Sequence, residues 1–508
     1  MKYKNPVIPG FHPDPSVCRR GSDYFLVTSS FEYFPGVPIF HSKDLVHWRQ
    51  IGHCLTRASQ LPLNGAKCSS GIWAPTIRYH DGTFYMITTN MHTGYNFYVT
   101  ARDPAGEWSD PVYVDKGAFD PSLFFDDDGK VYYTRRDWDF HGTGQAEIDI
   151  STGKLLTPFA CIAKGFCSPD QEGPHLYKIN GYYYLMAAEG GTRYGHMETI
   201  ARSSSPWGPF EPCPHNPILT HRHISSSHIR HTGHGELFEA HDGSWWLVCL
   251  GTRHHIYEDA SILGRETFLV PVTWTDDGWP VVNGDGTVAI EIETEGLPPC
   301  PWPSPPERDD FDSEKLDLCW NFLRNPCEES WSLIERKGFL RLKGLSSTLT
   351  NLDSQSFIGR RQQHFNFSAQ ALLDFEPLND GEEAGLCIMC KDTCHYEIAV
   401  IKQEGIKKIV FRKRVEDISA EVYEDIASQG PIILRIEGSP HEYRFLFSCS
   451  DGNFKEAGSG VTKLLSGELA EIWTGNYIGM YATGNGRKSS APADFDWFDY
   501  TPIENNNY

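Results

Sequence analysis

DPSVCRRGSDYFLVTSS, residues 14–30, decides the fold. It holds a short run of β-forming residues, a turn centred on Gly21 and a second run dense in aromatic and branched side chains, which together spell a hairpin. The pattern returns as APTIRYHDGTFYMITTN (74–90), DPSLFFDDDGKVYYTRR (120–136), EGPHLYKINGYYYLMAAEG (172–190) and HGELFEAHDGSWWLVCLG (234–251), with turn glycines at 82, 129, 181 and 243. Between the hairpins run HSKDLVHWRQIGHCL (41–55), TARDPAGEWSDPVYV (100–114) and IARSSSPWGPFEPCPHNPIL (200–219), each with a tryptophan (Trp48, Trp108, Trp207) ahead of another short strand. A repeat of roughly 45 to 60 residues carrying about four strands is the signature of a propeller blade, because one blade alone cannot bury both faces. Five repeats predict five blades over residues 1–297. Helical periodicity is weak here, which disfavours a barrel of alternating strands and helices.

The first residue of each hairpin stands at the mouth of an innermost strand and so faces the central channel. Those residues are Asp14, Ala74, Asp120, Glu172 and His234. Pro174 aligns with Pro15, Pro75 and Pro121, so Glu172 lies one position ahead of Asp14 and Asp120. Three acids from blades 1, 3 and 4 therefore converge on one axial pocket. Asp14 sits between Pro13 and Pro15, and the proline restrictions predict a stiff, extended backbone that aims its carboxylate.

The 508 residues, 40% hydrophobic and 13% aromatic, suffice for two or three domains with true cores. A net charge of −22 argues against nucleic acid and anionic membranes as partners and fits a small neutral ligand. No run of about 18 apolar residues marks a membrane span, and the start MKYKNP lacks an apolar leader, so a cytoplasmic location is expected. The 14 cysteines are scattered without metal-type spacing, as reduced thiols would be.

After about residue 296 comes LPPCPWPSPPERDDF, whose prolines predict a stiff linker or strap over 298–307. Beyond it, SWSLIERKGFLRLKG, HYEIAVIKQ, KIVFRKRV, PIILRIEGSPHEYRFLFSCS and ADFDWFDY alternate like half-buried strands. Residues 308–508 are thus expected to form a β-sandwich of the jelly-roll or concanavalin kind.

Seven separated motifs in order, NPVIPGFHPDPSV, SSFEYFPGVPIFHSKDLVHW, GIWAPTI, GAFDPSLFFDDDG, QEGPHLYK, GHGELFE and LGRETFLVPVTW, resemble the β-xylosidase and α-L-arabinofuranosidase branch of glycoside hydrolase family 43. The resemblance covers nearly the whole chain. It implies an inverting exo-glycosidase in which Asp14 is the general base, Glu172 the general acid, and Asp120 the residue that tunes the acid and orients the sugar. Such hydrolysis needs one carboxyl protonated and one ionised, about 6.5 to 9.5 Å apart. A third acid close by would raise the pKa of Glu172 by repulsion.

The resemblance also implies that Phe31, Trp73 and Arg265 line the sugar site, that His234 lies near a channel metal, often calcium, and that an aromatic from the second domain closes the pocket. Tyr477 in TGNYIGMYATG is the candidate for that aromatic. Calcium favours oxygen ligands, so an imidazole would join a shell made mostly of water. The further histidines His221, His223, His228 and His231 match no closed zinc spacing and are read as loop residues; the acids 126–128 are read as a hairpin turn. No organic cofactor is implied.

The leading expectation is release of D-xylose from the non-reducing end of β-1,4-xylo-oligosaccharides. A dedicated α-L-arabinofuranosidase, a bifunctional enzyme and a non-catalytic sugar-binding protein are the alternatives. A retaining fructan enzyme is disfavoured because its motif, Arg102-Asp103-Pro104, falls in an outer-strand repeat. Whether the protein forms a homo-oligomer is left open.

Overall fold

The computed structural model describes residues 1–224, 226–254, 259–449 and 452–503. Five antiparallel sheets follow one another along the first part of the chain. Their innermost strands are Ser16–Arg20, Thr76–His80, Ala118–Phe125, Glu172–Ile179 and Ile229–Glu239. Each innermost strand neighbours the next, and the last neighbours the first, so the ring closes as a five-bladed propeller. In every blade the first two strands are joined by a turn whose glycine has positive φ, from +65° at Gly21 to +86° at Gly243. Glycine adopts this conformation without the steric cost other residues meet.

The chain start helps to close the ring: Lys2–Lys4 pairs with Glu291–Glu293, and the His12 N–H donates to the Arg265 carbonyl. The proline-rich segment then runs as a strap along blade 1. There the Cys300 N–H donates to Asp44, and the Trp302 indole donates to the His41 carbonyl.

Two eight-stranded sheets form the concanavalin-like sandwich. Between them pack Leu386, Ile388, Ile398 and Val400 from one sheet and Leu434, Ile436, Phe445 and Phe495 from the other. One strand of this sandwich belongs to the propeller sequence. Tyr33–Phe34 pairs with Asn321–Leu323 at the sheet edge, and Tyr33 stacks on Tyr477 with ring centroids 3.7 Å apart. The propeller thus covers an edge that would otherwise offer unpaired backbone groups. It also fixes the sandwich against the channel mouth.

Candidate active site

Asp14, Asp120 and Glu172 gather at the mouth of the channel. The backbone that presents them is not the extended one expected at Asp14: φ is +55° there, +52° at Asp120 and +47° at His234. All three are in the left-handed region, where a single residue turns its side chain off the strand's alternation. Blades 3 and 5 carry register shifts at these positions, between Phe119 and Ser122 and on either side of Gly233. In blade 4 the left-handed residue is Gly173, at +57°, and Glu172 precedes it. That explains the one-residue displacement seen in the sequence. Residue 173 must be glycine, because a Cβ there would lie 2.7 Å from His234 Nε2.

Asp14 is 4% exposed and held from two sides. The Ser29 hydroxyl donates to Oδ2 at 2.5 Å, and Arg265 Nη1 donates to Oδ1 at 3.1 Å. His234 Nδ1 lies 3.7 Å from the same Oδ1. Arg265 also donates to the Thr192 hydroxyl and, through Nε, to the Trp473 carbonyl, so it joins blade 1, blade 4 and the sandwich.

Asp120 is 6% exposed and accepts the Gly173 N–H at 3.1 Å. Taken as a whole residue, Glu172 is only partly buried, whereas Asp14 and Asp120 are buried. Burial, followed by the charge of Asp14, pushes Glu172 up to about 7, against the pull of Arg265 and Arg136. Burial, followed by the charges of Glu172 and Asp14, holds Asp120 well above the usual carboxylate range. Burial, not Asp120, is therefore the larger cause of the shift at Glu172. Each of the two carboxyls opposes ionisation of the other, so the pair retains a proton near neutrality.

Phe31, buried, and Trp73, partly buried, pack beside Arg265 and Trp473. Arg265 lies over the Phe31 ring at 5.5 Å, and Trp73 packs edge-on against Phe119 and Trp473 at 5.3 and 4.9 Å. Beyond Phe119 the aromatic path continues to Trp138, 47% exposed. Tyr477, expected to close the pocket, does not face it. It is fully buried behind the wall, between Tyr33 and Phe11, where a strand-core aromatic belongs. The residue of the sandwich that reaches the site is Trp473, four positions earlier, partly exposed and in contact with Trp73 and Arg265. The aromatic in EIW was its only sequence signal. Arg136, buried beside Glu172 with Nη1 unpartnered, was likewise missed.

His234 faces the channel as its repeat position required. Among the described residues no group of three His, Cys, Asp or Glu donors forms around it. The adjacent Gly235 N–H donates to Glu198, whose Oε1 is buried without a partner. An imidazole and one free carboxylate oxygen fit a hydrated calcium ion, which draws most of its ligands from water. They do not make a closed protein cage.

Three acids gathered at one point, an arginine fork and aromatic side chains at the mouth of a five-bladed propeller define a glycosidase. Residues 3–280 match the model for glycosyl hydrolases family 43, and residues 308–501 match that for the β-xylosidase C-terminal concanavalin A-like domain. The chain belongs to glycoside hydrolase family 43. It is similar to a non-reducing end α-L-arabinofuranosidase of Bacteroides ovatus, at 46% identity over 99% of this chain and 95% of that protein. A β-xylosidase of Bacillus subtilis is 35% identical over 98% of this chain and 99% of its own length. The solved structure of a xylan β-1,4-xylosidase from Bacillus halodurans superimposes with a TM-score of 0.94 at 38% identity, covering 98% of this chain and all of that one.

Proposed function

We propose that this glycosidase is exo-acting and inverting, removing D-xylose from the non-reducing end of β-1,4-xylo-oligosaccharides and cleaving terminal α-L-arabinofuranosides as well. The observation that carries the reading is the pairing of a carboxylate held from two sides, Asp14, with one whose pKa is pushed up to about 7, Glu172. Asp14, with both oxygens in hydrogen bonds, takes the proton of the attacking water. Glu172 gives its proton to the glycosidic oxygen. Asp120 fixes the backbone of residue 173 and so the position of Glu172. Phe31, Trp73 and Trp473 offer apolar faces to the C–H side of the terminal sugar and limit the pocket to one ring.

The 46% identity to an arabinofuranosidase, above the 35% to the Bacillus subtilis β-xylosidase, favours a second reading, a dedicated α-L-arabinofuranosidase. Values of kcat/KM on the two p-nitrophenyl glycosides and on xylobiose separate them. Turnover of both aryl glycosides and of xylobiose supports the first reading. Turnover of the arabinoside alone establishes the second.

Calcium held by His234 and Glu198 would offset the carboxylate charge behind Glu172. Exhaustive chelation should then lower Tm or kcat and calcium should restore it; no change in either would leave His234 as a core residue. A cytoplasmic, reducing location is supported by the cysteines, among which no disulfide forms in the described residues.

A further inference from the structure

The sandwich carries a cavity of its own, of about 210 Å³, on the face of one sheet that is turned away from the other sheet. In the order of that sheet, Ile418–Asp425 forms one edge and Tyr33–Phe34, taken from the propeller, forms the other; the cavity lies toward the first. Strand alternation turns Glu383, Glu397 and Arg412 away from Leu386, Ile398 and Phe411, which fill the core between the sheets. Arg412 pairs in register with Glu397 on one side and with Glu421 on the other. Glu383, His395, Glu397 and Tyr481, each at most 3% exposed, make the floor. Ser419, Glu421 and Asn485 stand exposed on the rim and give access from solvent.

The side chains of the floor hold one another in place. Arg412 Nη1 donates to Glu383 Oε1 at 2.9 Å and to Glu397 Oε2 at 2.6 Å, and its Nε donates to Glu421 Oε1 at 2.6 Å. His395 Nε2 lies 2.9 Å from Glu397 Oε1. Against the effect of burial, the charge of Arg412 and the bond from His395 pull Glu397 down to about 2, so it is ionised. The Tyr481 hydroxyl lies 2.6 Å from Glu383 Oε1 and 2.7 Å from Glu397 Oε2, yet it has one hydrogen to give. Acceptor capacity is therefore left over on the floor. A donor is left over as well, since Arg414 Nε is buried without a hydrogen-bond partner among the described residues. Three carboxylates face two guanidiniums and an imidazole, so the charge is nearly balanced and an ion of either sign gains little. Such a network is a weak stabilising device, because desolvation offsets the attraction. Pre-ordered planar donors and acceptors beside the Tyr481 ring and Leu349 suit the hydroxyls and C–H faces of a neutral sugar.

We propose that this cavity binds a single neutral sugar ring, with Glu383 and Glu397 accepting from its hydroxyls and Arg414 donating to them. Sites for drug-sized ligands run to about 300 to 1,000 Å³, so a cavity of about 210 Å³ admits one ring and not a chain. Thr348 and Thr350, whose hydroxyls meet at 2.7 Å, border the site and add neutral partners for a hydroxylated ligand. The cavity shares no residue with the catalytic pocket, and its assignment does not depend on the reaction proposed there.

The test is equilibrium dialysis of labelled D-xylose, and separately of L-arabinose, against the full-length protein, with circular dichroism to check that each variant folds. Ser419→Trp fills the exposed rim without touching the buried floor, Arg414→Ala removes the free donor, and Arg265→Ala weakens the catalytic pocket instead. The expected result is two equivalents of sugar bound by the wild type. Ser419→Trp and Arg414→Ala should each weaken one of them about tenfold or more, while kcat/KM on the p-nitrophenyl glycosides keeps its wild-type value. Arg265→Ala should lose the other equivalent and keep the one that Ser419→Trp removes, which separates failure of this site from failure of the catalytic reading. A single equivalent that Ser419→Trp removes supports this site and counts against the catalytic pocket alone. Should Arg414→Ala misfold, Ser419→Trp, on an edge strand, carries the comparison. A wild type that binds no sugar, a single equivalent untouched by Ser419→Trp, or a folded Ser419→Trp that binds both at wild-type strength overturns the proposal. So does binding of inorganic phosphate or calcium, in place of sugar, that Ser419→Trp abolishes.

Discussion

Gly173 stands so close to His234 that a Cβ at residue 173 would lie 2.7 Å from the imidazole Nε2. The same glycine has φ +57° and gives its N–H to Asp120. One residue without a side chain therefore sets the spacing between the acid of blade 4, the acid of blade 3 and the histidine of blade 5.

Gly173→Ala should show this directly. The left-handed conformation costs a residue with Cβ about 1 to 2 kcal/mol, and the clash with His234 adds to it. Displacing Glu172 by about 1 Å is enough to lower kcat on the order of a hundredfold. Steady-state kinetics and thermal melting should both fall, and wild-type kcat would show that residue 173 does not position the acid.

The pH profile follows from Glu172, raised to about 7. A general acid works only while protonated, so activity should decline as pH rises through about 7. Asp120→Asn removes a neighbouring negative charge, which lets Glu172 ionise sooner and moves the alkaline limb to lower pH. An unmoved or upward-shifted limb in log kcat/KM against pH would deny Asp120 that influence.

Much of this was legible in the residues. Blade order and hairpin turns could be read because each turn needs glycine at positive φ and each second strand is a run of aromatic and branched residues. The one-residue offset of Glu172 could be counted from the prolines. Its cause could not, since the contact between Gly173 and His234 joins residues from different blades. The extended backbone expected at Asp14 was a local inference from proline, overridden by the turn that aims the carboxylate inward. The expectation that Tyr477 closes the pocket, with Trp473 passed over, failed for a similar reason. Both are aromatics near the start of one strand, and only the docking of Tyr33 onto the sandwich decides which is walled in.

Trp473→Ala should raise KM about tenfold or more, because the side chain closes the pocket against Trp73 at 4.9 Å. Tyr477→Phe should stay near wild type, since its hydroxyl makes only a 3.4 Å contact with Asn321. Kinetics of the pair would reverse the assignment if Tyr477→Phe were the impaired one.

Asp14→Ala should lower kcat by about 10² to 10⁴ on every substrate, because water activation is needed whatever the leaving group. For the wild type, proton NMR within minutes of mixing a β-xyloside should show α-xylose first. Initial β-xylose would mean retention, and Asp14 would then not be a base acting on water.

The central claim is that Glu172 is the proton donor to the leaving group, and Glu172→Ala measured on two substrates tests it most directly. The xylose that leaves from xylobiose would be a poor alkoxide leaving group and needs the proton; the dinitrophenolate that leaves from a dinitrophenyl xyloside departs without one. The variant should lose activity on xylobiose by about 10² or more and on the dinitrophenyl xyloside far less, with the ratio of the two losses as the reading. Equal losses on both substrates, with the leaving-group dependence appearing in Asp120→Asn instead, would contradict the account and exchange the roles of Glu172 and Asp120.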